Sequence, residues 1–158
     1  MAYVEVNRDS IAKNAGRIVE LARSNGVKVA AVTKVVCGDP EIAKSLLENG
    51  IKEIGESRLE NIARLKSAGM NPDFILLRLP EKSRFRQVVE LVDSVLVGDL
   101  ESLSRLKEIS SETEKQLKFI FMVDTGDLRE GVMFYDAEAV LEKAFEIVGR
   151  DLDGIGTN

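Results

Sequence analysis

A chain of 158 residues, 44% apolar and 31% charged, has the material for one domain around one core. Its net charge of −5 offers no basic field for collecting phosphates, which excludes nucleic acid as the main partner. No apolar run is long enough to span a membrane and the opening residues lack a signal-peptide layout, so a cytoplasmic protein is expected. The chain has no histidine, which removes Ser-His and Cys-His nucleophile systems and imidazole metal sites. Its one cysteine, Cys37, allows neither an internal disulfide nor a multi-cysteine metal site. Acid–base work falls to Lys, Tyr, Cys, Asp or Glu.

Tyr3–Val6 contains the alternation Val4-Glu5-Val6 and predicts a short leading strand outside the main sheet. Asp9–Ser24 places Ile11, Ala15, Ile18, Val19 and Ala22 on one helical stripe. Val27–Lys34 is rich in β-branched residues and reads as a buried parallel strand. Pro40–Glu48 predicts a helix with Asp39 as N-cap, proline in the first turn and Gly50 closing it. Ile51–Ser57 is a second strand, and Arg58–Ser67 a helix carrying Leu59, Ile62, Ala63 and Leu65. The pattern repeats as strand Phe74–Leu79, helix Ser83–Val92, strand Ser94–Gly98 and helix Leu100–Ser110. Strand Leu117–Asp124, helix Ala137–Val148 and strand Leu152–Thr157 complete it. One βα unit takes roughly twenty-odd residues, with no linker or low-complexity stretch, so residues 1–158 read as one domain.

Serial βα units build either an open doubly wound sheet or a (β/α)8 barrel. The turn after the first strand, Lys34-Val-Val-Cys-Gly-Asp-Pro40, lacks the G-x-G-x-x-G of a nucleotide-binding open sheet, which favours the barrel. Six strands do not close an eight-stranded barrel. The expectation is therefore an incomplete TIM-type barrel, the N-terminal part of a longer chain, whose bare edges are covered by further polypeptide or by a homodimer or other homo-oligomer.

In either architecture the polar residues at the C-terminal strand ends carry the chemistry. These are Lys34, then Glu56, Ser57 and Arg58, then Arg78, then Asp124 to Gly131, then Thr157 and Asn158. A buried lysine at such an end is pushed toward its neutral, nucleophilic form, as chemistry with a carbonyl requires. A lysine snorkelling to solvent is the competing reading. Cations at several strand ends of an acidic chain suggest an anionic ligand. For Arg58 and Arg78 the alternative is ion pairing with Glu56 or Asp99, and Asp124 is equally suited to forming a cap or a turn.

Ala31-Val-Thr-Lys34, Gly55-Glu-Ser-Arg58 with Asn61, Val123-Asp-Thr-Gly-Asp-Leu-Arg-Glu-Gly131 and Gly154-Ile-Gly-Thr157 stand in a telling order. Together with Val4-Glu-Val-Asn-Arg-Asp-Ser-Ile-Ala-Lys-Asn14 they resemble the N-terminal barrel domain of alanine racemases, fold-type III pyridoxal phosphate (PLP) enzymes. The branch most similar is that of ornithine and other basic amino-acid racemases. The resemblance covers essentially the whole chain.

It implies a PLP-dependent amino-acid racemase with a small amino-acid substrate, possessing a lysine at position 34 that forms the internal aldimine and serves as one of two bases. Arg129 matches the arginine of D-T-G-x-x-R-x-G, near the cofactor's phenolic oxygen and the substrate carboxylate. Arg58, Thr157 and Asn158 fall among the cofactor contacts and Arg78 among the substrate contacts. Asn158 stands where many alanine racemases have histidine, which alters that contact. The family's later strands supply the phosphate site and the opposite base. Two alternatives remain in view, a non-enzymatic PLP-binding protein and a truncated chain without a competent site. Cys37 is expected to be a small residue buried or packed in a loop, because thiol-based racemases pair two cysteines.

Overall fold

In the computed structural model, which describes residues 4–158, regular structure begins with helix α1 (Arg8–Ser24). Asn7 caps it, its side-chain oxygen accepting the Ser10 N–H at 2.9 Å. Strand β1 (Ala30–Val32) and helix α2 (Pro40–Glu48) follow, then β2 (Glu53–Glu56), α3 (Leu59–Ser67) and β3 (Asp73–Leu76). Next come α4 (Phe85–Leu91), β4 (Ser94–Val97), α5 (Leu100–Ser111) and β5 (Lys118–Asp124). The two-residue β6 (Val132–Met133), α6 (Ala137–Val148) and β7 (Leu152–Gly156) complete the chain. Aspartates start two of the helices, Asp39 accepting the Ile42 N–H at 3.0 Å and Asp99 the Ser102 N–H at 2.7 Å.

The main sheet runs β1-β2-β3-β4-β5-β7, and every adjacent pair is parallel. A doubly wound sheet reverses its order at a switch point; this one never does. Sequential order in one direction is the winding of a (β/α) barrel wall, here six main strands of eight. Short β6 pairs with the far end of β5 through Val123↔Val132 and Asp124↔Met133. It lies beyond the end of β4, where a Cβ on Gly98 would come within 2.8 Å of the Gly131 nitrogen.

Register decides which side chains meet the helices. Leu76, Val95 and Phe119 share one row, and all are fully buried. Phe74, Val97 and Phe121 extend that face, packing with Ile62 and Leu65 of α3, Val88 and Val89 of α4 and Leu103 and Leu106 of α5. Each fully buried side chain of this size contributes about 1.5–3 kcal/mol. Ile75, Leu96 and Ile120, pointing the other way, are only half-buried.

Three expectations need correction. Tyr3 lies outside the described residues, and 4–7 form no strand, since Asn7 is committed to capping α1. The run Val27–Lys34 contributes only Ala30–Val32 to the sheet, and it is an edge strand rather than a buried one. Val27, ahead of β1, is 58% exposed and Val32 46%, and among the described residues β1 has a neighbour on one side only. Lys34 has left the strand altogether and opens a 3-10 turn, Lys34–Val36.

Gly131 is pinned by backbone geometry. Its φ is +106°, and a Cβ there would come within 2.5 Å of the Met122 carbonyl oxygen. In the intact protein, Gly131→Ala should lower stability by about 1–3 kcal/mol, seen as a lower urea midpoint at unchanged slope. An unchanged midpoint would mean that β6 does not need this close approach.

Candidate active site

Buried Glu56 organises one side of the site. It shares the register row of Leu76, Val95 and Phe119, so its carboxylate points toward the helices rather than into the strand-end opening. There Oε1 accepts the Thr33 hydroxyl at 2.9 Å, and Oε2 accepts the Ser57 N–H and the Asn61 side-chain amide, each at 3.0 Å. Glu56, Thr33 and Asn61 are all buried. A carboxylate taken from water without such donors would cost several kcal/mol. Among the described residues no buried side-chain polar atom lacks a partner. The alternative of a Glu56–Arg58 ion pair is not what the structure shows. Arg58 is exposed at the start of α3.

This network sets the turn that carries Lys34. Thr33 donates its N–H to the Gly55 carbonyl, and its own carbonyl accepts the Val36 and Gly38 N–H groups. Gly38 sits at φ +61°, where a Cβ would stand 2.9 Å from the Asn61 Cβ. The Arg64 guanidinium donates to the Cys37 carbonyl at 2.7 Å. Gly55 and Glu56 of β2 and Asn61 and Arg64 of α3 thus grip the segment 33–38. Lys34 itself is exposed, which corrects the expectation of a buried amine, and Cys37 is exposed in the same turn rather than buried.

Asp124 organises the opposite side. Its carboxylate is buried at the end of β5 and accepts the Gly126 N–H at 2.7 Å and the Leu128 N–H at 3.2 Å. It is a turn former, and these bonds, the Gly126 N–H first, hold its carboxyl below the usual aspartate range despite burial. Leu128 is held at φ +54°, a conformation that costs a non-glycine residue energy. Arg129 follows directly. Across the loop, the Thr125 and Thr157 hydroxyls lie 3.2 Å apart and join the β5 loop to the end of β7.

The two sides meet at a cavity of about 350 Å³ lined by Lys34, Arg78, Arg129 and Asn158 together with Ser57, Leu77, Leu96 and Glu130. A second, of about 370 Å³, is lined by Lys34, Arg58 and Arg78 with Cys37, Ser57 and Asn61. Five of the six residues anticipated from the sequence therefore line one or both of these cavities, and Thr157 lies beside them on Thr125. Lys34, Arg58, Arg78 and Arg129 form no ion pair among the described residues, so their charges face the opening. A larger cavity of about 660 Å³ lies at the other end of the strands, between α2 and α3. Its Lys44, Glu48, Lys52 and Asp73 are of mixed sign, whereas the strand-end cavity concentrates cations. Leu77 and Leu96 escaped sequence reasoning as cavity residues, because nothing in their local pattern announces which face they take, whereas Glu130 fell within the strand-end segment 124–131.

A model of the alanine racemase N-terminal domain matches residues 6–158. The chain is 40% identical over 153 residues to a lysine racemase of Thermotoga maritima, covering 97% of this chain and 42% of that protein. It is 30% identical over 158 residues to an ornithine racemase of Acetoanaerobium sticklandii, covering 98% and 44%. The alanine racemase structure of a D-cycloserine-producing Streptomyces lavendulae superposes with a TM-score of 0.81 at 18% identity, over 95% of this chain and 40% of that one. The chain thus spans about two fifths of the length of these relatives.

Two predictions test the supports. In the intact protein Glu56→Ala strands the Thr33 and Asn61 donors, and should destabilise by at least about 1–3 kcal/mol by denaturant titration; a loss under about 0.5 kcal/mol would remove Glu56 from its organising role. For Asp124 the folded pKa lies below the unfolded value near 3.8, so its stabilisation is present above that value and is lost as pH falls through the folded one. The stability gap between wild type and Asp124→Asn should therefore be full-sized above about pH 5 and shrink on acidification. A gap independent of pH would contradict this assignment.

Proposed function

Because the chain belongs to the alanine racemase N-terminal domain family, we propose that it forms the N-terminal part of the barrel domain of a PLP-dependent racemase of basic amino acids. The observation that carries this reading is the convergence of Lys34, Arg78 and Arg129, unpaired by any carboxylate, on one strand-end cavity. That donor set suits pyridoxal phosphate, with one amine for its aldehyde and guanidiniums for its oxygens and for a substrate carboxylate. A volume of about 350 Å³ is within the usual range for small-molecule sites.

When bound, the cofactor supplies an electron sink that stabilises negative charge on the substrate α-carbon. Lys34 anchors it and, through Nζ, takes or returns the α-proton on one face. The exposed position of Lys34 on a gripped turn leaves the side chain free to swing between anchoring and proton transfer, while the backbone stays fixed. Arg129 presents a planar fork that orients a carboxylate in two-point fashion, and Arg78 adds a second cation for the substrate. Arg58, Thr157 and Asn158 complete the cofactor contacts. Leu77 and Leu96 give the cavity its apolar lining. Lysine and ornithine, the substrates for which the two relatives are named, define the proposed substrate class.

The test is made on the intact protein. It should be yellow, borohydride should fix the cofactor onto Lys34 by peptide mapping, and single enantiomers of lysine or ornithine should lose optical rotation. Lys34→Ala should abolish both the adduct and the racemisation. An adduct on another lysine would overturn the residue assignment. A yellow protein that leaves every enantiomer unchanged would make it a PLP-binding protein instead.

A further inference from the structure

Glu130 is the one carboxylate lining the cavity that Lys34, Arg78 and Arg129 share. It is half-buried and forms no ion pair among the described residues. Glu130 thus stands as an unpaired carboxylate in a cavity that also holds three unpaired cations. The next residue, Gly131, runs so close to β5 that a Cβ there would come within 2.5 Å of the Met122 carbonyl oxygen.

The cations of this cavity account for anionic groups, the cofactor's oxygens and a substrate carboxylate. An amino acid with a second ammonium brings a positive charge that the same field repels. A fixed carboxylate at the cavity wall reverses the sign of the potential at one point and gives that ammonium a partner. We infer that Glu130 receives the side-chain ammonium of a basic amino-acid substrate and determines specificity for that class. This rests on the racemase reading above and adds to it the residue that selects the side chain.

The experiment uses the intact, cofactor-loaded protein and two ligands that lack an α-proton and so bind without turnover, α-methyl-lysine and α-methyl-norleucine. Calorimetry gives the affinity ratio of the charged ligand to the neutral one. In wild type that ratio should favour α-methyl-lysine and fall as salt is raised, because the pair is partly open to solvent. Glu130→Gln should lower the ratio at least tenfold and flatten its salt dependence, with Glu130→Asp in between. The kcat/KM ratio of lysine to norleucine should move in parallel. If Glu130 merely offsets the charge of Arg129, Glu130→Gln shifts both ligands equally and leaves the ratio intact, which overturns the inference. A wild-type ratio near one, or one insensitive to salt, overturns it without any variant. Should the protein bind neither ligand and fix no cofactor on Lys34, the racemase reading falls along with it; an active racemase whose discrimination survives Glu130→Gln removes Glu130 alone.

Discussion

A carboxylate on the wrong side of a strand is the constraint on which the site depends. Glu56 occupies a helix-facing register position that elsewhere in the sheet holds Leu76, Val95 and Phe119. Burial there is tolerable only if donors meet both oxygens, and the donors come from three segments: Thr33 after β1, Ser57 after β2 and Asn61 in α3. Satisfying one buried group thus fixes the relative placement of two strand ends and a helix. The Lys34 turn is built on that junction, with Gly38 lying against Asn61 and Arg64 holding the Cys37 carbonyl.

The other half of the site uses the same device with a different geometry. Asp124 spends no cation on its carboxylate; backbone N–H groups of its own loop satisfy it. Those bonds hold Leu128 in a left-handed conformation, and Gly131 lets the chain return flush against β5. Arg129 is carried between Leu128, strained at φ +54°, and a glycine where any side chain would clash with the Met122 carbonyl. Strain of this kind persists only where neighbours over-determine it.

Nine of the cations are matched with carboxylates among the described residues, as in Arg84–Glu60 and Arg86–Glu112, exposed pairs that add little stability. At the C-terminal strand ends the cations are left unmatched. An acidic protein that leaves four cations bare around one opening has arranged a local field opposite to its net charge. That field suits anionic ligand groups, and Glu130 is its only interruption in the main cavity.

Periodicity and caps determined much of this protein before any tertiary contact. Helices 40–48 and 137–148 match their expected bounds to the residue, since Asp39-Pro40 and a 3.6-residue apolar stripe are local signals. The serial βα units foretold a barrel wall, and the strand-end position of Lys34, Arg58, Arg78, Arg129 and Asn158 could be counted from the strands. An incomplete barrel implies that the first strand is an edge, but local pattern reads Val27–Lys34 as buried, because burial of a strand depends on neighbours that lie far away in the chain. Nor could it place Glu56 toward the helices, since the face a side chain takes is decided by register with the next strand. Two-residue β6 carries no period at all, so the segment 124–131 was legible as a strand end but Glu130 could not be told apart within it. Local pattern determined which residues reach the strand ends; only tertiary pairing decided which way they point, because strand register is a property of two segments and never of one.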